Sequence, residues 1–293
     1  MGHLDASGRA TFHHIAAQSA VRPTNRELRW LAHIHCHGPQ PSTALFDLTA
    51  DTHRCKDTAL RALQRLRANG LLSLPPQQRA IERAEFQPYI YDITPTGRDY
   101  LSEAGLLEAS VRPTGHWWHA YTVGALTAAI DRRANERNCR YVAPQTILNI
   151  QTATLGIKSS FGMVIPDQIF ALNYGASFRA FLLEVDRSTE PHLSRTARES
   201  LMSKLKGYNA LIAQDLPRRH YGLKSPMALL FTFSSHVRAA RVIEAVHSNF
   251  PHLKPTLLVK VLDVRDPVLL RATDYVAAPW QRASTGIFDL FSA

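Results

Sequence analysis

Residues 163–191 read MVIPDQIFALNYGASFRAFLLEVDRSTEP, and this stretch decides the fold. Two apolar runs, Met163–Leu172 and Phe178–Asp186, flank a turn made of Asn173, Gly175 and Ser177. That is the pattern of a β-hairpin. Facing residues of an antiparallel pair share a constant index sum. A hairpin centred between Gly175 and Ala176 gives 351, which sets Asp167 opposite Glu184. Alternation puts Leu182, Glu184 and Asp186 on one face and Phe181, Leu183 and Val185 on the other. Three carboxylates therefore converge at one end of the hairpin. Facing acids with Cβ atoms roughly 5 Å apart repel unless something neutralises them. A hard divalent cation, Mg²⁺ or Mn²⁺, prefers carboxylate oxygen and is the simplest candidate, with Asp167 and Glu184 as its ligands. The alternative is that each acid is answered by a base such as Arg179 or Arg187. A register slip of one residue would move Asp167 to the wrong face.

Downstream, a helix is expected over Pro191–Ala213, with Ala197, Leu201, Leu205, Tyr208 and Ile212 as its buried stripe. Lys204 lies about 60° from the centre of that stripe and can reach inward, whereas Lys206 lies about 140° away, towards solvent or phosphate. MALLFTF (227–233) and TLLVKVL (256–262) read as strands separated by a helix near 237–248. This order makes an α/β domain. Upstream, a helix is expected from His116 to Asn135. His116, His119, Val123, Leu126 and Ile130 share one face, so both histidines begin an inward stripe, as core residues or as groups lining a site. They lack the HExxH spacing of a zinc protease.

The segment SVRPTG (110–115) supplies a Pro and a Gly between helical patterns and marks the expected boundary between a domain at 24–110 and one at 111–293. Residues 1–23 read as a loose leader. In the first domain Thr24 caps a helix over Asn25–His37, with Leu28, Leu31, Ala32 and His35 on one face. A short helix follows at Thr43–Leu48, then a third from about Thr52 to Asn69, ended by Gly70. Leu60, Leu63 and Leu66 point inward from the third helix. Arg54, Lys56, Arg61, Arg65 and Arg67 against Asp57 make it locally +4. LLSLPPQ and YIYDI supply two strands of a hairpin, and Thr94 with Pro95 opens a closing helix.

The whole chain has 293 residues, 45% hydrophobic and 20% charged, as in a packed protein of about two domains. Lys and Arg exceed Asp and Glu by 34 to 24, a net +10. Residues 1–110 hold 12 basic and 11 acidic residues; residues 111–293 hold 22 and 13. Such an excess implies a polyanionic partner. No run approaches the ~20 apolar residues of a membrane span, and no basic amphipathic helix with aromatic anchors stands out. Cys36, Cys55 and Cys139 have neither disulfide nor zinc spacing. A cytoplasmic protein is expected.

Three helices, a hairpin and a closing helix over residues 24–106, ending in YDITPTGRDYL, resemble the winged helix-turn-helix family. That resemblance implies that the third helix enters the major groove of duplex DNA, with Arg61 and Arg65 meeting it. Asp167 after Pro166, followed by Glu184-Val185-Asp186, resembles the PD-(D/E)XK nuclease fold. More narrowly, PD…FLLEVDRSTEP…SKLKGY after a winged helix resembles the replication-relaxation family of mobile-element proteins, over most of residues 24–235. The nuclease resemblance implies Asp167 and Glu184 as Mg²⁺ ligands. Asp186 replaces the usual lysine, so Lys204 would supply that charge. Gln145 stands nearest to the position of a further acid.

Two readings follow. In the first, a DNA-binding protein of plasmid or mobile-element replication or mobilisation cleaves phosphodiesters with a divalent metal, through Asp167, Glu184, Asp186 and Lys204, with His116, His119 and Tyr208 lining the site. In the second, a non-catalytic regulator of replication, conjugation or transcription uses the nuclease-like domain for DNA contact or for a homodimer. Double-stranded DNA is the partner in both.

Overall fold

The computed structural model describes residues 21–52, 55–81, 84, 87–187, 195–262 and 276–292. Arg54 and nearly all of the expected leader lie outside them. The architecture is mixed α/β, in two compact units that divide within one helix, between Ala128 and Ala129. The segment Ser110–Gly115 lies inside the first unit. Arg112 holds it there, donating to the Ile34 carbonyl (3.0 Å) and pairing with Asp92, while His35 Nε2 stands 2.7 Å from the Glu108 carbonyl.

In the first unit Thr24 and Glu27 close a reciprocal capping box and start helix α1 (Asn25–His37). Then come β1 (Gln40–Pro41), α2 (Ser42–Leu48), a 3-10 turn (Ala50–Thr52), α3 (Lys56–Ala68) and β2 (Leu72–Ser73). A second 3-10 turn (Pro76–Ala80), β3 (Ile90–Ile93) and α4 (Pro95–Glu103) complete the series. β1 and β2 pair antiparallel on either side of β3. The buried face of α1 is Glu27, Trp30, Leu31, Ile34 and His37. This corrects the expected face, because the indole of Trp30 dominates burial and donates to the Leu45 carbonyl at 2.7 Å. Leu63 and Leu66 of α3 join this core with Leu45, Ile93 and Leu101. Each such side chain stabilises the unit by about 1.5–3 kcal/mol.

Helix α5 (Trp117–Glu136) crosses the division. His116 is exposed and precedes the helix, which corrects its expected inward place; Tyr121 to Ile130 are buried without interruption, so no single stripe defines this helix.

The second unit continues with β4 (Arg140–Val142), α6 (Pro144–Leu148), β5 (Ile157–Ser159), β6 (Gly162–Val164), β7 (Gln168–Asn173) and β8 (Phe178–Asp186). After these come α7 (Arg195–Ala213), α8 (Leu216–Tyr221), β9 (Met227–Phe233), α9 (His236–Asn249), β10 (Leu257–Val261), β11 (Trp280–Arg282) and β12 (Ile287–Phe288). Seven strands form one sheet in the order β12-β11-β10-β9-β8-β7-β4. β8, β9 and β10 are parallel, and their near-continuous apolar runs match strands buried on both faces. The β7–β8 hairpin pairs Gln168 with Leu183 and Ile169 with Leu182, preserving the index sum of 351.

The expected strand Met163–Leu172 is two strands. Pro166 cannot donate to a ladder, so β6 stops before it and pairs with β5 instead of β8. Met163, the first residue of that expected run, is 61% exposed.

Candidate functional site

Glu184 sits on β8, one of the inner strands of the sheet, and its side chain is 1% exposed. Helix α7 answers both of its oxygens. Lys204 Nζ donates to Oε2 and the Tyr208 hydroxyl donates to Oε1. The two donors are four residues apart, one helical turn, which is why a single helix reaches both oxygens. On the other flank, the Thr232 hydroxyl donates to the Glu184 carbonyl at 3.3 Å.

Asp167 stands just before β7. Its N–H donates to the Leu183 carbonyl (3.0 Å) and its Oδ2 accepts from the Val185 N–H (2.7 Å). The carboxylate therefore stands in for a backbone carbonyl and extends the hairpin ladder past Gln168. Burial, and then the like charge of Asp167, push the Glu184 carboxyl up to about 8, although Lys204 and Tyr208 act in the opposite sense. Burial opposes the charge on Lys204, but Glu184 and Asp167 outweigh it and hold the ammonium above its ordinary range.

Asp186, two residues along β8, acts on Lys204 together with Glu184 and Asp167. It pairs with Arg238 of α9 at 2.5 Å. Sequence reasoning missed Arg238, because the partner lies 52 residues away and no local pattern announces it. Lys206 is exposed on α7, Gln145 bonds to Asn149 one turn along α6, and His116 and His119 belong to the first unit.

The first unit carries its own candidate interface on α3. Lys56, Thr58, Arg61 and Arg65 are exposed, while Ala59, Ala62, Leu63 and Leu66 are buried. Arg65 is tied to Glu27 of α1 at 2.5 Å, and Glu27 is fully buried. The signal for that anchor was present in the capping box, since a glutamate three residues after the cap points back along the chain. Arg67 is half-buried close to Tyr91 and Tyr89, and burial lowers its pKa. Arg61 is thus the arginine of this helix that faces outward without a described anchor in its own unit.

Among the described residues, no helix is long and apolar enough to cross a membrane. No curated protein and no solved structure matches the chain. The family model described as replication-relaxation matches residues 31–225, two thirds of the sequence, including α3 and Asp167, Glu184, Lys204 and Tyr208. The chain therefore belongs to the replication-relaxation family, which gives it a role in replication or mobilisation.

Proposed function

We propose that this is a duplex-DNA-binding protein of plasmid or mobile-element replication or mobilisation, and that its acid cluster holds the second unit together without cutting DNA. The first unit is read as a winged helix, supported by the order α1-β1-α2-α3-β2-β3-α4 and the antiparallel sheet β1-β3-β2. In this reading α3 enters the major groove with Lys56, Thr58 and Arg61 leading, while Arg65, anchored by Glu27, sets the angle of the helix. The second unit is read as a PD-(D/E)XK-like domain, supported by Asp167 just ahead of β7 and Glu184 on the neighbouring β8 of a mixed sheet.

The observation that carries the non-cutting reading is the answered charge. Lys204 and Tyr208 occupy both oxygens of Glu184, and Arg238 takes Asp186. With Glu184 holding its proton up to about pH 8, two cations face two ionised acids, a poor donor set for a resident divalent ion, which favours several carboxylate oxygens and water. Lys204 and Arg238 are the bases that answer these acids, the role that the alternative to a metal gave to Arg179, Arg187 or another base. No hydrolytic step is derived from this arrangement.

A second reading keeps metal-dependent cleavage, favoured by one observation: Asp167 lies close enough to Glu184 to disfavour its ionised form. Incubating supercoiled plasmid with the full chain in Mg²⁺ and then Mn²⁺ separates the two. Retained supercoiling together with salt-sensitive binding of a labelled duplex is the expected result. Neutralising about five phosphates gives a log–log slope near −4 to −5. Nicking that disappears in Glu184→Gln would establish the second reading, and a flat salt response would remove DNA as the partner.

A further inference from the structure

Strands β5 and β6 form a hairpin apart from the main sheet, and its apolar side chains face outward. Phe161 is 68% exposed, Met163 61% and Ile165 59%. Phe161 stands in the turn at the tip, and Met163 and Ile165 lie together over Gly156, where a Cβ would meet them at 3.1 and 3.2 Å. An exposed row of this kind in a packed domain marks an interaction surface.

The tip is rigid. Ser160 and Phe161 make a two-residue turn between the paired residues Ser159 and Gly162. Ser159 Oγ accepts from the Phe161 N–H (3.1 Å) and donates to the Gly162 carbonyl (2.8 Å). Gly162, at φ +110, supplies a conformation that side chains disfavour. The base is equally fixed. A side chain at Gly207 of α7 would meet Val164 at 2.7 Å, so helix and hairpin are in direct contact. The Tyr221 hydroxyl and His220 Nε2 of α8 bind the carbonyls of Leu155 and Thr154, just ahead of β5, both at 2.7 Å.

The surroundings are cationic. Lys158 is exposed and lies directly across the hairpin from Met163. Lys206 on α7 and Arg219 on α8 are exposed on the two helices that hold the hairpin. The nearby acid Asp215 is taken up by Arg218 at 2.6 Å. Apolar groups flanked by cations match a duplex whose phosphates border a partly opened base step, where an apolar wedge unstacks the bases. A purely apolar protein face would not call for these cations, and the replication-relaxation family match favours duplex DNA over an anionic membrane surface.

We infer that the β5–β6 hairpin is a DNA wedge: Phe161, supported by Met163 and Ile165, inserts at a base step while Lys158, Lys206 and Arg219 hold the flanking phosphates. The inference rests on the duplex-binding reading above. Beyond it, the wedge adds local distortion of the DNA. The chain runs from the wedge through Ile165 and Pro166 straight to Asp167, so the distorted step lies at the edge of the Glu184 cluster.

The test uses the full chain and a mixed-sequence 40-base-pair duplex carrying 2-aminopurine at several positions, at low salt. Binding is followed by anisotropy and unstacking by 2-aminopurine emission. The wild type should raise the emission severalfold at saturation. Phe161→Ala should bind within about tenfold of the wild type with the same salt slope, and should abolish the rise. Phe161→Trp provides a second reading, its indole emission being quenched as DNA is added. Saturated binding with no rise in the wild type, or an unchanged rise in Phe161→Ala, overturns the wedge and leaves duplex binding intact. An absence of any binding at low salt overturns the reading beneath it. A wild-type dimer that Phe161→Ala converts to monomer, with no rise in emission, assigns the hairpin to a second copy of the chain and overturns the wedge.

Discussion

Among the described residues, each unit buries one glutamate completely and answers it with a partly exposed cation from a helix. Glu27 meets Arg65 of α3, and Glu184 meets Lys204 of α7. The surroundings differ. Glu27 also accepts from the Thr24 backbone N–H (2.8 Å) and from the Thr24 hydroxyl (2.9 Å), so one oxygen is held by the helix terminus itself. Glu184 has only side-chain donors, Lys204 and Tyr208, and a second carboxylate, Asp167, nearby. A buried acid bound to a helix terminus is part of the backbone scaffold. One held by side chains beside a like charge depends on the protonation of its neighbours and on pH.

The largest expected departure is in pH dependence. Glu184 is pushed up to about 8 in the folded protein and has an ordinary value near 4.5 when unfolded. Between these values the folded state keeps a proton that the unfolded state has lost. Stability from this group is therefore full below about pH 4.5 and falls as pH rises towards 8, by at most about 1.4 kcal/mol per pH unit. Urea melts across this range should show the decline in the wild type and a flatter profile in Glu184→Gln. Equal slopes in the two proteins would mean that Glu184 is not protonated in the folded state.

Removing the cation sharpens the same contrast. Lys204→Met leaves Glu184 buried with only Tyr208 as a donor, and breaking such a pair costs about 3 kcal/mol or somewhat less, since Lys204 is partly solvated. The loss should appear at pH 9 and shrink at pH 6, where Glu184 carries a proton. A loss independent of pH would indicate missing packing instead of missing charge.

The smallest effect belongs to the first unit. Glu27→Ala removes the reciprocal half of the capping box and should cost about 1–2 kcal/mol in a urea melt. It should also weaken duplex binding less than Arg61→Ala, for which roughly 1–3 kcal/mol is expected if the guanidinium reads a base edge. Anisotropy titrations of the two variants rank them. The reverse order would make the Arg65 anchor, and not the Arg61 contact, the determinant of binding.

The local chemistry of these sites was legible from the order of residues. Thr24 and Glu27 announce a capping box because the cap depends on a spacing of three. The index sum of 351 fixed the register of β7 against β8 because a tight turn leaves little freedom in register. Lys204 was placed at the inner edge of its helix by angle alone, and it reaches Glu184. Periodicity failed where burial comes from more than one side or from a long side chain. It missed the full burial of Tyr121 to Ile130, the exposure of His116 and the rotation of α1 about Trp30.

The amino-acid order by itself determined the long helices, the register of the β7–β8 hairpin and the residues able to carry charge, since each depends on spacing within about twenty residues. Only the tertiary structure decided which cation answers which acid. Arg65 is 38 residues from Glu27 and Arg238 is 52 from Asp186, and no propensity links residues so far apart. Those pairings follow from how helices pack on strands. Packing also separated β6 from β7 at Pro166, and it turned Phe161, Met163 and Ile165, part of an apolar run in sequence, out to the surface.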